Sequence, residues 1–245
     1  MAFLLIYYSR GAVLAKNSKD SKEMKSTLVV LTLNEIEGMR KIMPRVKKGW
    51  VDEMILADGG STDGTREYAK ELGMRVVDQK TKGRGEAFRV GAAAAKNEIL
   101  VYFSPDGNED PNDIPKLIDK IREGYDMAIA SRFSSKSISE DATLIRRIGN
   151  NIFTFVINIL FGIWITDAVN GYRAVRKTVM KDLKTDANRF EIEIQMTMRC
   201  ARKGYKITEI PTFEGQRIGG QAKLSTLKDG WAYTKLILRE FFRRG

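Results

Sequence analysis

An α/β fold built on an open, mostly parallel sheet with helices on both faces is predicted by three observations. Short apolar runs alternate with helical stretches through residues 26–131, which is the rhythm of repeated β-α-β units. The glycines, aspartates and hydroxyls that interrupt this rhythm fall directly after the apolar runs, where open parallel sheets carry their ligand sites. The chain has 245 residues, 43% hydrophobic and 30% charged. That is enough for a domain with a real core, and it excludes a disordered or disulfide-stapled protein.

The elements follow in order. Ala2–Tyr8 is apolar, with no basic residue before it and Arg10 after it, and a Lys-rich polar stretch runs to Lys25. Residues 1–25 therefore read as a mobile leader, or as sequence upstream of a start at Met24. Leu28–Leu33 is the first strand and Glu35 to about Lys47 a helix. Met54–Ala57 is the second strand, and Thr65–Leu72 a helix stopped by Gly73. Met74–Val77, Ile99–Phe103 and Met127–Ser131 are the third to fifth strands, separated by helices over Arg84–Lys96 and Ile114–Arg122.

The pattern then changes. Ile148–Thr166 carries no charged side chain, but it contains Asn150, Asn151 and Asn158. Its length is close to the roughly 20 residues of a membrane span. Three readings stand: a buried or protein-facing helix, a helix lying in a membrane interface beside Arg146 and Arg147, or a span. Gln195–Arg202 is a helical run that holds Cys200 as a core thiol, and Leu224–Phe242 is a basic amphipathic segment. The expected division is a catalytic domain over 26–222, including the apolar helix 148–166, followed by an amphipathic helix over 223–245.

Composition limits the chemistry. There is no histidine and a single cysteine, so a Ser-His-Asp triad, a His base and a His- or Cys-held metal are excluded. Any metal must sit on oxygen, which favours magnesium or manganese. Lys plus Arg is 42 against 31 acids, a net +11, which favours phosphate-bearing partners or anionic lipid. Acids dispersed through the body argue against nucleic acid.

Four clusters end or follow successive strands. Thr32-Leu33-Asn34-Glu35 can cap a helix or face a ligand. In Asp58-Gly59-Gly60-Ser61-Thr62-Asp63-Gly64-Thr65, Asp58 can meet a nucleobase or ribose, or the whole can be a turn in which Asp63 caps a helix. Lys82-Gly83-Arg84-Gly85 suits a diphosphate at a helix start, or a solvated turn. Ser104-Pro105-Asp106-Gly107-Asn108 can hold a hard cation, or be a turn alone.

In this order the clusters resemble those of the family 2 glycosyltransferases, which have the GT-A fold, and in particular the dolichol-phosphate mannose synthase and polyprenyl-phosphate sugar transferase branch. Ala130-Ser131-Arg132-Phe133 is similar to the family's Gly-Ser-Arg motif, and Arg146-Arg147 leads into the apolar helix as in that branch. Asp167-Ala168-Val169-Asn170-Gly171-Tyr172-Arg173 resembles its Asp-x-x-x-Gly-aromatic-Arg, and Phe190-Glu191-Ile192-Glu193 its Phe-Glu-x-Glu. Residues 217–224, Arg-Ile-Gly-Gly-Gln-Ala-Lys-Leu, resemble its terminal Arg-x-x-Gly-x-Ser-Lys-Leu. The resemblance covers roughly residues 27–230. Three positions depart from it. Gly59 stands where many members have a second Asp, Ser104 replaces the first acid of Asp-x-Asp, and Ala222 replaces Ser.

The resemblance implies an inverting transferase that moves a sugar, mannose or glucose, from a nucleotide-diphospho-sugar to a polyprenyl or dolichyl phosphate. It would work at the cytoplasmic face of the cell membrane, peripheral or monotopic, with Mg2+ or Mn2+. Thr32, Asn34, Glu35, Asp58, Lys82 and Asp106 are then the donor-binding residues. Asp106 and Asn108 are the metal ligands. Arg132, Arg146, Asn150, Arg217 and Lys223 are expected at the acceptor phosphate, and Asp106, Arg132 and Arg217 carry catalysis. Arginine's planar fork suits a phosphate. A competing reading makes Arg132 and Arg217 core ion pairs with Glu191 and Glu193 as partners, and pairs Asp167 with Arg173. Two alternative activities are a family 2 transferase acting on a hydroxyl acceptor, and a nucleotidyltransferase.

Overall fold

The computed structural model describes residues 23–141, 143–219 and 226–243, with the side chains of 226–228 excepted. The expected leader and Lys223 therefore lie largely or wholly outside the described residues. In chain order the elements are β1 (Ser26–Thr32), α1 (Ile36–Ile42), β2 (Glu53–Asp58), α2 (Thr65–Glu71), β3 (Arg75–Asp78), α3 (Arg84–Ala94), β4 (Ile99–Phe103), α4 (Asp113–Arg122) and β5 (Met127–Ser131). There follow β6 (Ile138–Ser139), α5 (Leu144–Phe161), β7 (Arg173–Arg176), α6 (Lys177–Asp182), α7 (Ile192–Arg202), β8 (Ile207–Pro211), β9 (Phe213–Glu214) and α8 (Thr226–Phe242).

Seven strands form the main sheet in the order β3-β2-β1-β4-β7-β5-β8. All neighbours are parallel except β7, which runs antiparallel between β4 and β5. Alternate residues of each strand enter opposite faces. Val29, Leu31 and Tyr102 pack under α3, α7 and α8, whereas Leu28, Val30, Val101 and Phe103 pack against α1 and α4. The register aligns Thr32 with Asp58 and Asp58 with Asp78, so the carboxyl ends of three strands form one edge. Ser104 follows β4 at the same edge.

Local chemistry moves several boundaries. The first helix stops at Ile42, short of Lys47, and passes into a single 3-10 turn over Met43–Arg45. Pro44 lacks the N–H that would continue it. The apolar helix starts at Leu144, four residues before its uncharged run, because Thr143 accepts the Arg146 N–H and caps it. It ends at Gly162, whose φ of 66° is left-handed. Cys200 is fully buried.

The last helix is fixed by a buried polar network. Glu240, with no exposed surface, accepts from Arg199 at 2.6 and 3.0 Å and from Gln195 at 2.9 Å. Burial pushes its carboxyl up, but the hydrogen bonds from Arg199 and Gln195 outweigh that and hold it below the ordinary range. Its stabilising contribution is therefore present above the pKa it has when unfolded, and is lost as pH falls through the lower folded value. Glu240→Ala leaves Arg199 short of its main partner and is expected to cost about 3 kcal/mol in denaturant titrations at pH 7. The gap to wild type should narrow on acidification; a gap that widens would contradict this account.

Candidate active site

The strand edge is built by hydrogen bonds inside the chain. Asp58 is 1% exposed. Its carboxylate accepts from the Gly60 and Ser61 N–H groups at 2.9 and 2.8 Å, from the Ser61 and Thr32 hydroxyls, and from Arg66 at 3.1 Å. It holds the loop after β2 and has no place in the cleft lining. Asn34, exposed and in a left-handed conformation with φ 54°, accepts the Thr62 N–H on its side-chain oxygen and donates its own backbone N–H to the Ser61 hydroxyl oxygen. It straps the β1 and β2 loops together. Asp63 accepts from the Ile36 and Thr65 N–H groups and so fixes the starts of both α1 and α2.

The next corner gathers charge. The glycines around Arg84 serve close packing: a Cβ at Gly83 would lie 2.2 Å from the Asn188 carbonyl oxygen, and one at Gly85 2.1 Å from that of Ala187. Arg84 donates to Glu193 at 2.5 Å and to the Ser104 hydroxyl at 3.2 Å. Asp106 accepts from Arg217 at 2.7 Å, and the other arm of Arg217 reaches Glu35. The turn carrying Asp106 is tied to the Arg217 segment by Ile218 N–H to Asp106 carbonyl at 2.6 Å and Gly215 N–H to Asn108 carbonyl at 3.2 Å. Burial, then the charge of Asp106, pushes the Glu109 carboxyl up to about 8.

No group of three or more acidic or sulfur ligands exists among the described residues. A single carboxylate beside an amide oxygen still fits a hard cation whose other ligands come from a diphosphate. Asp106 provides that carboxylate. The Asn108 amide gives its N–H to Gly215 at 2.8 Å, which leaves its oxygen as the acceptor.

The third group lies beyond β5. Arg132 binds Asp167 through two arms, at 2.7 and 3.0 Å, and reaches Glu214 at 3.3 Å. Burial lowers its pKa, but the charges of Asp167 and Glu214 outweigh that and raise it. Arg146 pairs with Asp141 at 3.1 Å. Asn150 is 7% exposed, and neither its amide nitrogen nor its oxygen has a hydrogen-bond partner. Such a group is costly unless something outside the chain satisfies it. The ion pairs expected as a competing reading therefore exist, but with different carboxylates from Glu191 and Glu193. Arg173 is not paired with Asp167. Fully buried, it donates to the carbonyls of Asn170 and Glu193 and to the Thr197 hydroxyl.

One cleft of about 790 Å3 joins these corners. Thr32, Glu35, Lys82, Asp106, Asn108, Arg132, Arg146, Asn150 and Arg217 all line it. Asn34 and Asp58 support it from outside. Arg84, read from the sequence as part of a diphosphate cluster, lines the cleft and its side pocket; Glu193 and Tyr233 also line these spaces, and sequence reasoning did not place them there. A cation between two glycines was the legible signal for Arg84; the contact to Glu193, 109 residues away, had none.

Known proteins resemble this chain in sequence and fold. The sequence profile of Glycosyl transferase family 2 matches residues 27–184. Glycosyltransferase AglJ of Haloferax volcanii is 31% identical over 87% of this chain and 69% of its own length. Dolichyl-phosphate hexose transferase of the same organism is 28% identical, over 86% of this chain and 92% of its own. Polyprenol monophosphomannose synthase of Mycolicibacterium smegmatis is 29% identical, over 81% of each chain. Among solved structures, glucosyl-3-phosphoglycerate synthase from Mycobacterium tuberculosis, in complex with Mn2+, UDP-glucose and phosphoglyceric acid, superposes with a TM-score of 0.72 at 21% identity, covering 97% of this chain and 87% of that one. That likeness establishes the GT-A fold.

Proposed function

The chain belongs to glycosyl transferase family 2, and we propose that it moves a hexose from a nucleotide-diphospho-sugar to a polyprenyl phosphate at a membrane surface. The observation that carries this reading is the single cleft. It runs from the strand edge past Asp106 to three arginines and the unpartnered Asn150, and it opens beside an uncovered apolar helix. The names of the relatives support the same acceptor. Family membership sets aside the nucleotidyltransferase alternative.

The residues divide the work. Lys82 and Arg84 face the leaving diphosphate with positive charge. Asp106 and Asn108 would hold a magnesium or manganese ion, which when bound supplies further charge neutralisation to the leaving group. Arg132, Arg146 and Arg217 meet the acceptor phosphate, and Asn150 contributes its amide N–H. A phosphate monoester, with a second pKa of about 6, is already an anionic nucleophile at neutral pH. No base is then required to remove a proton. Asp167, the candidate base of a hydroxyl-directed enzyme, is bound on both oxygens by Arg132 and has no exposed surface. It positions Arg132. Attack opposite the leaving group inverts the anomeric centre.

The membrane side rests on α5 and α8. Leu144, Ile145, Ile148, Ile152, Phe155 and Ile159 of α5 are all at least half exposed, and their spacing puts them on one face. By length and composition this helix could cross a membrane. Its packing on α8, where Phe153 meets Tyr233 edge-on at 5.4 Å, instead favours lying in the interface. Trp231, Leu238 and Phe242 extend the apolar surface, beside Lys235 and Arg239. Basic side chains there favour the anionic cytoplasmic leaflet.

One experiment tests the reading. Labelled GDP-mannose, UDP-glucose and related donors are offered with polyprenyl phosphate in anionic vesicles and a divalent cation. At least one donor should label the lipid phosphate, and high salt should return the protein to the supernatant. Transfer from no donor, or only to soluble phosphoglycerate, would contradict it.

A further inference from the structure

Arg217 has two claims on it. It is one of the three arginines proposed to meet the acceptor phosphate, yet both of its outer nitrogens hold carboxylates. Nη1 donates to Asp106 Oδ2 at 2.7 Å, and Nη2 donates to Glu35. Its Nε donates to the Gly219 carbonyl at 3.2 Å. The other two arginines are held differently. Arg132 is bound to Asp167, which has no exposed surface, and Arg146 to Asp141. Of the three, Arg217 alone is paired with a proposed metal ligand.

The backbone around this pair is locked. Ile218 gives its N–H to the Asp106 carbonyl at 2.6 Å, and the Asn108 amide gives its N–H to the Gly215 carbonyl at 2.8 Å. Gly107, with φ 95°, packs between them: a Cβ there would lie 2.7 Å from Ile218 Cγ1 and 2.9 Å from the Gln216 carbonyl oxygen. The segment carrying Arg217 is thereby pinned to the Asp106 turn. Any conflict at the carboxylate must be relieved by the Arg217 side chain, which is 22% exposed and lines the open cleft.

Charge creates that conflict. Asp106 accepts the Asn108 N–H on Oδ1 at 3.2 Å and Arg217 on Oδ2, so both oxygens are engaged. A hard divalent cation binds a carboxylate oxygen directly. A guanidinium on the same group is then a like charge at close range. Arg217 and the cation therefore compete for Asp106, whereas nothing in this competition touches Glu35.

We propose that Arg217 is a counter-ion switch: it neutralises Asp106 until a divalent cation takes that carboxylate, then keeps Glu35 with Nη2 and turns Nη1 to the acceptor phosphate. The proposal rests on the lipid-phosphate reading above and adds a coupling to it. Cation binding frees an acceptor ligand, and an acceptor phosphate that draws Arg217 away frees a cation ligand. Each then tightens the other by the same factor.

Binding to the full chain tests this without turnover. The acceptor probe is geranyl phosphate, followed by calorimetry in EDTA or with manganese. Wild type should bind it about tenfold more tightly with manganese, the scale of one charge-assisted hydrogen bond. Asp106→Asn loses the cation site but releases Arg217. It should bind geranyl phosphate in EDTA about tenfold more tightly than wild type does, with no further gain from manganese. That gain should vanish when Arg217→Gln is added, which separates release of the arginine from simple loss of a negative charge. Manganese alone, followed by its electron paramagnetic resonance signal, should bind Arg217→Gln more tightly than wild type. Coupling that survives in Arg217→Gln, or an Asp106→Asn protein no tighter than wild type in EDTA, would overturn the switch alone. Wild-type protein that binds geranyl phosphate under neither condition would overturn both the switch and the acceptor reading beneath it.

Discussion

Asp106→Ala is expected to reduce turnover by about 10²- to 10³-fold while leaving the protein folded, the loss typical of removing one preorganised electrostatic group. That corresponds to roughly 3–4 kcal/mol of transition-state stabilisation. The size follows from the surroundings of Asp106. Glu109, three residues further along the chain, is of little help, since burial and Asp106 itself push its carboxyl up to about 8. Asn108 alone offers a neutral oxygen, too weak to hold a hard cation. The fold should survive because Arg217 retains Glu35 when Asp106 is gone. Raising manganese should not restore activity; near-normal rates with added manganese would show that the charge is supplied elsewhere.

Arg132→Ala should do two things at once. Asp167 has no exposed surface and Glu214 is 7% exposed, and both are ion-paired to Arg132. Removing the cation strands buried negative charge, which is expected to cost about 3–5 kcal/mol of stability. In the protein that remains folded, the acceptor KM should rise more than the donor KM, because the lost group faces the acceptor end of the cleft. Arg217→Ala provides the comparison. Its partners, Glu35 and Asp106, keep side-chain exposures of 6% and 15%, against none for Asp167, so the same KM pattern should appear at a smaller cost in stability. A rise in donor KM alone in both variants would place these arginines at the wrong substrate.

The fold was largely legible because its signals are local. Ile99–Phe103 and Met127–Ser131 are continuous apolar runs between turn residues, and they form β4 and β5 with those bounds. β7 was not legible. Arg173-Ala-Val-Arg176 reads as a polar segment, yet Arg173 is fully buried because carbonyls from distant elements receive its guanidinium. β8, Ile207–Pro211, alternates too briefly to separate from loop.

The site was legible as a set of strand ends and illegible as a set of contacts. Thr32, Glu35, Lys82 and Asp106 sit after apolar runs, and they line one cleft. Asp58 carries the same signal, but hydrogen-bond saturation by its own loop takes it out of the lining. Nothing near Arg217 in sequence announces Glu35, 182 residues away, or Asp106, 111 residues away. Those meetings are made by the backbone bonds that lay the segment after β9 across the Asp106 turn.

The central claim is that the acceptor is a phosphate already carrying its own negative charge, so that the chain orients and neutralises rather than removing a proton. The most direct measurement offers polyprenyl phosphate and the free polyprenol of the same length, side by side, with the donor that wild type uses. The account predicts sugar on the phosphate and none on the alcohol. Efficient transfer to the alcohol, abolished by Asp167→Asn, would contradict it and make Asp167 the base of a hydroxyl-directed transferase.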